Sequence, residues 1–178
     1  MPLSRRRGFT WLELLVVLAI VGLTASLALP SLGTAIARRH LDASTEALLN
    51  ALGQARTAAV RRDHATTVCA STNGHTCSPW ADWTRGWIGR DDRLGTVFEV
   101  MGPLHSKLAT ARRAGRPHGV AFDVNGTSPG SNQTITLCVR GQAATAISVI
   151  VANSGLARRT AARADDAATC AATSSPKR

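Results

Sequence analysis

Residues 5–30 read RRRGFTWLELLVVLAIVGLTASLALP: three arginines, a glycine, then an apolar run interrupted near its start by one carboxylate, Glu13. From Leu14 to Leu29 every residue is apolar or small and uncharged, about 16 positions or roughly 24 Å of α-helix. With Phe9 and Trp11 at the boundary, that run approaches the length of a bilayer crossing. Arg5, Arg6 and Arg7 in front of it hold the N-terminus in the cytoplasm by the positive-inside rule and send the remainder across. An ordinary secretory signal competes with this reading, with a basic start, an apolar centre and Ser26-Leu27-Ala28 as a small-residue cleavage site. Glu13 opposes it, because a carboxylate in an apolar segment is costly, marks a function and needs a cationic partner. No Lys or Arg within the run supplies one.

Working outward, the 178-residue chain leaves enough sequence beyond this segment for one modest domain. After Pro30, which is expected to kink the helix without ending it, Leu41, Thr45, Leu48, Leu52, Ala55 and Ala59 recur at helical spacing. Arg39, Glu46, Asn50 and Arg61 fall on the opposite face. A helix from Phe9 to about Arg61 would be about 80 Å long, apolar in its first half and amphipathic in its second. Past Arg62 the period changes. ATTVCAS, GWIGRD, TVFEVM, GVAFDV, QTITLCVR and AISVIVAN are short, β-branched stretches bounded by Gly, Pro, Asn or Asp, the pattern of strands. The expected fold is α+β: a long N-terminal α-helix, transmembrane in its first half, packed through its second half on antiparallel β-sheet. NGTSPGSN, residues 125–132, reads as a loop, and SKLATARRAGRPHG as a loop or a short basic helix. From Ala161 onward Ala, Thr, Asp and Ser dominate, so residues 161–178 are expected to form a flexible tail.

Cys69, Cys77, Cys138 and Cys170 all follow the apolar run, as expected for a domain carried into an oxidising compartment. They allow three pairings. Asn73-Gly74 is a turn signal that brings Cys69 and Cys77 together, and Cys138 with Cys170 then follows by elimination. Zinc is the alternative, since His64 and His75 lie near the first pair, but the spacing matches no CxxC-type site. The other histidines, His40, His105 and His118, show no metal spacing and no nucleophile partnership, so neither an enzyme nor a cofactor is expected.

The formal net charge of +10 points to polyanionic partners, nucleic acid or an anionic membrane surface. Between Leu104 and Arg163 the basic residues are Lys107, Arg112, Arg113, Arg116, Arg140, Arg158, Arg159 and Arg163, against the single acid Asp123. Grouped flexible arginines contact phosphates without reading sequence, which makes Arg112, Arg113, Arg116, Arg140, Arg158, Arg159 and Arg163 candidates for DNA binding. Trp80, Trp83 and Trp87, interleaved with Arg85 and Arg90, offer base stacking as one reading and core burial as the other.

Taken together, the basic leader ending in Gly8, then Phe9, Thr10 and Glu13, the apolar helix and Pro30 resemble the signal of type IV pilins and type II secretion pseudopilins. The order of the downstream segments resembles the GspH/FimT type of minor pseudopilin over nearly the whole chain. The resemblance implies a leader at residues 1–8, a transmembrane helix at 9–30 and a pilin-like globular domain at 31–160. It implies cleavage between Gly8 and Phe9 by a prepilin peptidase and methylation of the new Phe9 amine. It further implies that Glu13 pairs with the N-terminal amine of a neighbouring subunit during filament assembly. Expected partners are therefore other pilin or pseudopilin subunits, the prepilin peptidase and the inner membrane, with the globular part in the periplasm. FimT-type members linked to natural transformation carry Gly-Arg-x-Arg after the last strand. Here Gly155-Leu156-Ala157-Arg158-Arg159 keeps the glycine and the last arginine and has Leu156 in place of the first. The resemblance thus implies either a minor pilin of a type IV pilus machine that contacts DNA, or a minor pseudopilin of a type II secretion system that contacts other pseudopilins or cargo.

Overall fold

The computed structural model describes residues 10–78, 82–113, 119–130 and 132–173, with the side chains of 25–31 outside that description. The backbone packs as two compact units, Met1–Ile36 and Ala37–Arg178. One helix, α1 (Trp11–Arg62), contributes to both and continues through Pro30. Thr10 opens it, its hydroxyl accepting the Glu13 N–H at 3.2 Å, a capping contact that its short polar side chain suits.

In the first unit, Trp11 and the large apolar residues Leu12, Leu14–Leu18, Ile20, Val21 and Leu23 are exposed all round the helix, Trp11 at 76%. A helix that is apolar on every side has no solvent face and requires apolar surroundings. Among the described residues no helix is long and apolar enough to cross a membrane. The leader, Gly8 and Phe9 lie outside the described residues, as do the side chains of the last part of the apolar run.

In the second unit, Ala37, Leu41, Thr45, Leu48, Ala51, Leu52, Ala55 and Ala59 form the buried stripe of α1 at steps of three and four. The unit begins at Ala37, the first buried residue among the described side chains of the helix, a few residues beyond the boundary expected after Pro30. The stripe shares one core with residues of two four-stranded antiparallel sheets. The first sheet has the order β3-β2-β1-β5, with β1 Thr66–Ala70, β2 Trp87–Asp91, β3 Val97–Met101 and β5 Val120–Phe122. The second has the order β4-β6-β7-β8, with β4 Leu108–Arg113, β6 Gln133–Val139, β7 Gln142–Val151 and β8 Ala157–Ala161. Strand alternation divides the second sheet: Leu108, Ile135, Leu137 and Val149 join the core with α1, while Ala109 and Cys138 face a short second helix, α2 (Ala164–Ala172).

Two segments differ from what the sequence suggested. In the basic stretch after Ser106, Leu108–Arg113 form strand β4 rather than loop or helix, and residues 114–118 lie outside the described residues. Residues 161–173 are the end of β8 followed by α2, not a flexible tail. Polar composition misleads there because Cys170, fully buried, is bonded to Cys138 and tethers a helix with little apolar bulk of its own. The bridges join Cys69 to Cys77 with Cα atoms 5.5 Å apart, and Cys138 to Cys170 at 6.2 Å. Both separations suit an ordinary disulfide.

Beside the point where α1 hands over to β1, Asp91 at the end of β2 anchors the β2–β3 turn. Its Oδ1 accepts the Leu94 N–H at 2.9 Å and the Arg93 N–H at 3.0 Å, and His64 and Arg62 approach Oδ2. The Leu94 N–H above all, with Arg93 and His64, holds the Asp91 carboxyl below the usual carboxylate range against the opposing effect of burial.

Candidate functional site

Two features could carry function: the apolar arm with its carboxylate, and the arginines of the second sheet. Glu13 lies in the first turn of α1, where a negative charge complements the helix dipole. It is exposed, and its carboxylate has no partner among the described residues. Among the described side chains of the arm, Glu13 is the one charge on a largely apolar surface.

The arginines divide by strand geometry. Pairing aligns Arg112 with Ile135, Val149 and Arg159 in one cross-strand row, and Arg113 with Thr134, Ile150 and Arg158 in the next. Adjacent rows alternate between faces, so neighbours in sequence separate. Arg159 falls on the α1 face, where Nη1 donates to Glu46 at 2.9 Å and Nη2 to Asp42. Glu46 first and Asp42 second hold its pKa above the ordinary guanidinium value. Arg158 falls on the opposite face and is exposed. Arg113 meets Asp166, in the first turn of α2, at 3.0 Å. Arg140 donates to the carbonyls of Ser106 at 3.1 Å and Thr173 at 2.9 Å, pinning the end of α2 to the loop before β4.

The structure thus does not bring the predicted arginines into one phosphate-binding cluster. Arg113, Arg140 and Arg159 are engaged within the fold, and Arg112 lies half-buried on the α1 side of β4. Arg116 lies outside the described residues. Arg158 and Arg163 are exposed, with no side-chain partner among the described residues. The expected position of Arg158 and Arg159 after the last strand is corrected as well, since both lie within β8. The Ser154-Gly155 turn was the available signal for a further strand, while Leu-Ala-Arg-Arg-Thr-Ala after it neither alternates nor carries the β-branched apolar residues that usually announce one. The tryptophan reading resolves toward the core: Trp83 and Trp87 are 4% and 1% exposed, their rings tilted against each other at 6.3 Å, and Trp80 lies outside the described residues.

Among the described residues no group of three or more His, Cys, Asp or Glu stands close enough to hold a metal ion. His64 lies between Arg93 and Asp91, His40 stacks on His105 at 4.4 Å, and His75 is exposed in the loop closed by Cys69 and Cys77.

The profile of the family described as Type II transport protein GspH matches residues 44–155, more than half of the chain. The chain belongs to the GspH family. The Prokaryotic N-terminal methylation motif matches residues 3–29, the stretch that holds Gly8, Phe9 and Glu13. Proteins of this family are pilins and pseudopilins, structural subunits that assemble with others of their kind and are anchored in the inner membrane, and the methylation motif implies processing by a prepilin peptidase. Two crystal forms of the type IV minor pilin FimU of Pseudomonas aeruginosa share the fold. One matches at 18% identity and TM-score 0.53, covering 67% of this chain and 92% of FimU. The other matches at 20% and 0.52, covering 72% and 92%. The minor pseudopilin EpsH from the Type 2 Secretion System of Vibrio cholerae matches at 14% and 0.51, covering 68% of this chain and 97% of EpsH. A comparison with curated proteins found no match. The GspH-family fold accounts for the α1 stripe and the two sheets. It is neutral between a pilus and a secretion filament.

Proposed function

We propose that this chain is a minor pilin of a type IV pilus machine, cleaved between Gly8 and Phe9, held in the inner membrane by its apolar arm and drawn into the filament through Glu13. The observation that carries this reading is the exposed, all-apolar surface of the arm around Glu13, which has no partner among the described residues. A carboxylate in apolar surroundings is costly alone and tolerated when paired, so the free amine at Phe9 of a neighbouring subunit selects one register of stacking. Glu13→Ala removes that selection. The full chain carrying it is expected to be processed normally, with Phe9 as its methylated first residue, yet to fall at least about tenfold in the sheared filament fraction, as loss of about 1.4 kcal/mol or more requires. Equal recovery of wild type and variant in that fraction would sink the register argument.

A second element of the reading is non-specific contact with DNA, supported by the net charge of +10 and by Arg158 and Arg163, exposed and without side-chain partners among the described residues. For the full chain in nanodiscs of zwitterionic lipid, Arg158→Gln with Arg163→Gln is expected to lower the log–log salt slope of duplex binding by about 1.8, about 0.9 for each phosphate no longer neutralised. Arg140→Gln, whose guanidinium is occupied by two carbonyls, is expected to leave that slope unchanged. A double variant that binds as the wild type does makes these arginines a solvated or protein-facing surface. The chain is then better read as a minor pseudopilin of a type II secretion system.

A further inference from the structure

The first sheet ends at β3, which pairs with β2 on one side and has no strand on the other among the described residues. Edge strands are commonly blunted by Pro, Lys or a covering element. Val97-Phe98-Glu99-Val100-Met101 has neither Pro nor Lys; its one charge is the half-buried Glu99, and its one ladder irregularity lies toward the Arg90–Val97 end, leaving the pairs from Glu99 to Met101 regular. Beside this edge runs an open groove of about 820 Å³. Its walls include Asn50, Gln54, Thr57, Arg61 and Arg62 of α1 and Phe98 of β3.

The dimensions of the two walls agree. Asn50 to Arg61 covers about 17 Å of helix, and a five-residue strand covers about 17 Å as well. Side-chain amides at Asn50 and Gln54 both donate and accept, as the backbone of an extended chain requires. The charged residues of the lining are Arg61 and Arg62; Arg62 also reaches Asp91 at 3.8 Å, so Arg61 carries the charge complementarity of the groove. Arg62 lies over the Phe98 ring at 5.5 Å from its centroid. That guanidinium covers the one aromatic face a nucleobase would stack on. Arg61 is exposed with no side-chain partner among the described residues.

We propose that the open edge of β3 and the facing side of α1 form a docking groove for an extended acidic segment of a partner protein. The segment adds a strand to β3 through backbone hydrogen bonds and sets a carboxylate against Arg61, the strand-addition mode of recognition. A second copy of this chain, itself at +10, is a poor source of such a segment, so the partner is a different, acidic protein.

The test uses the full chain in zwitterionic nanodiscs with a labelled, acetylated eight-residue peptide alternating valine and glutamate. The acidic peptide is expected to slow amide exchange across Val97–Met101 by about tenfold or more, and Arg61→Glu, a substitution at an exposed site, to weaken binding by about fivefold to tenfold. The same peptide with lysine for glutamate is expected not to bind, and backbone N-methylation of the acidic peptide to abolish binding. Strand addition is overturned if the N-methylated peptide binds equally well, and acidic selectivity if the lysine peptide does. A thymidine oligonucleotide that protects β3 more strongly than the peptide overturns the protein partner. Absence of binding by the acidic peptide overturns the groove altogether.

Discussion

Replacing both Cys138 and Cys170 with alanine is expected to lower the stability of the folded body by about 3–4 kcal/mol and to release α2 before anything else. The bridged residues are 32 apart in sequence, and closing a loop of that size removes about this much free energy from the unfolded chain in the entropic account. α2 has 9 residues, below the length at which an isolated helix persists in water. Apart from the buried Cys170 and Ala167, it is held mainly by the Arg113–Asp166 pair and by Arg140 at its C-terminal end. Hydrogen exchange on the double variant checks this: amides of Ala164–Ala172 should lose protection while β1 and β2 keep theirs, and trypsin should cut after Arg163 at once. Retained protection in α2 would show that packing, not the bridge, holds it. The Cys69–Cys77 ring spans only 8 positions and contributes less, about 2–3 kcal/mol, on the same account.

Gly155→Ala is expected to cost about 3–5 kcal/mol, from left-handed strain, a steric overlap and the hydrogen bonds that the overlap breaks. Gly155 forms the β7–β8 turn at φ +75°, and a Cβ there would run into the carbonyl oxygen of Gly126. That contact belongs to a tight joint. Ser128 N–H donates to Asn153 O at 2.8 Å, and Arg56 Nε donates to Gly126 O at 3.0 Å, so the β5–β6 loop, the β7–β8 turn and α1 meet at one point. Opening the joint displaces β8 and, with it, the bonds from Arg159 to Asp42 and Glu46. Gly141 provides the comparison: φ is +71°, but nothing lies within 4 Å of its would-be Cβ. Gly141→Asn should cost less than about 1 kcal/mol, because asparagine tolerates the left-handed region, whereas Gly155→Asn should fail as alanine does. Denaturant unfolding of the three variants separates strain from overlap. Equal tolerance at both positions would mean that the joint yields.

The same turn marks the limit of what a linear pattern can carry. Gly155 and Arg158 match two positions of a motif that implies DNA contact, and in sequence Arg158 and Arg159 look like one basic pair. On β8 they point to opposite faces, and the residue that opposes Arg159 in the ladder, Val149, belongs to the core. The partners that occupy Arg159 lie more than a hundred positions away, on α1. Local pattern carries no record of such a pairing. The helix stripe was legible for the opposite reason: a period of three and four is set by the helix itself, and Leu41, Leu48, Leu52, Ala55 and Ala59 are all buried. The strands past Arg62 were legible in the same way, except for Leu108–Arg113 and Ala157–Ala161. There alanine, threonine and arginine replace the β-branched apolar residues that usually announce a strand.

The sequence by itself therefore determined the apolar arm with Glu13, the amphipathic run of α1, most of the sheet and the family, because each rests on short-range periodicity or on residues at fixed offsets. Only the tertiary structure decided which arginines are engaged within the fold, that the C-terminal residues through Thr173 fold against the second sheet, and that β3 stands open beside a basic groove. Those outcomes depend on which strand lies next to which and on charges brought together from distant positions. Chain order does not encode either one locally.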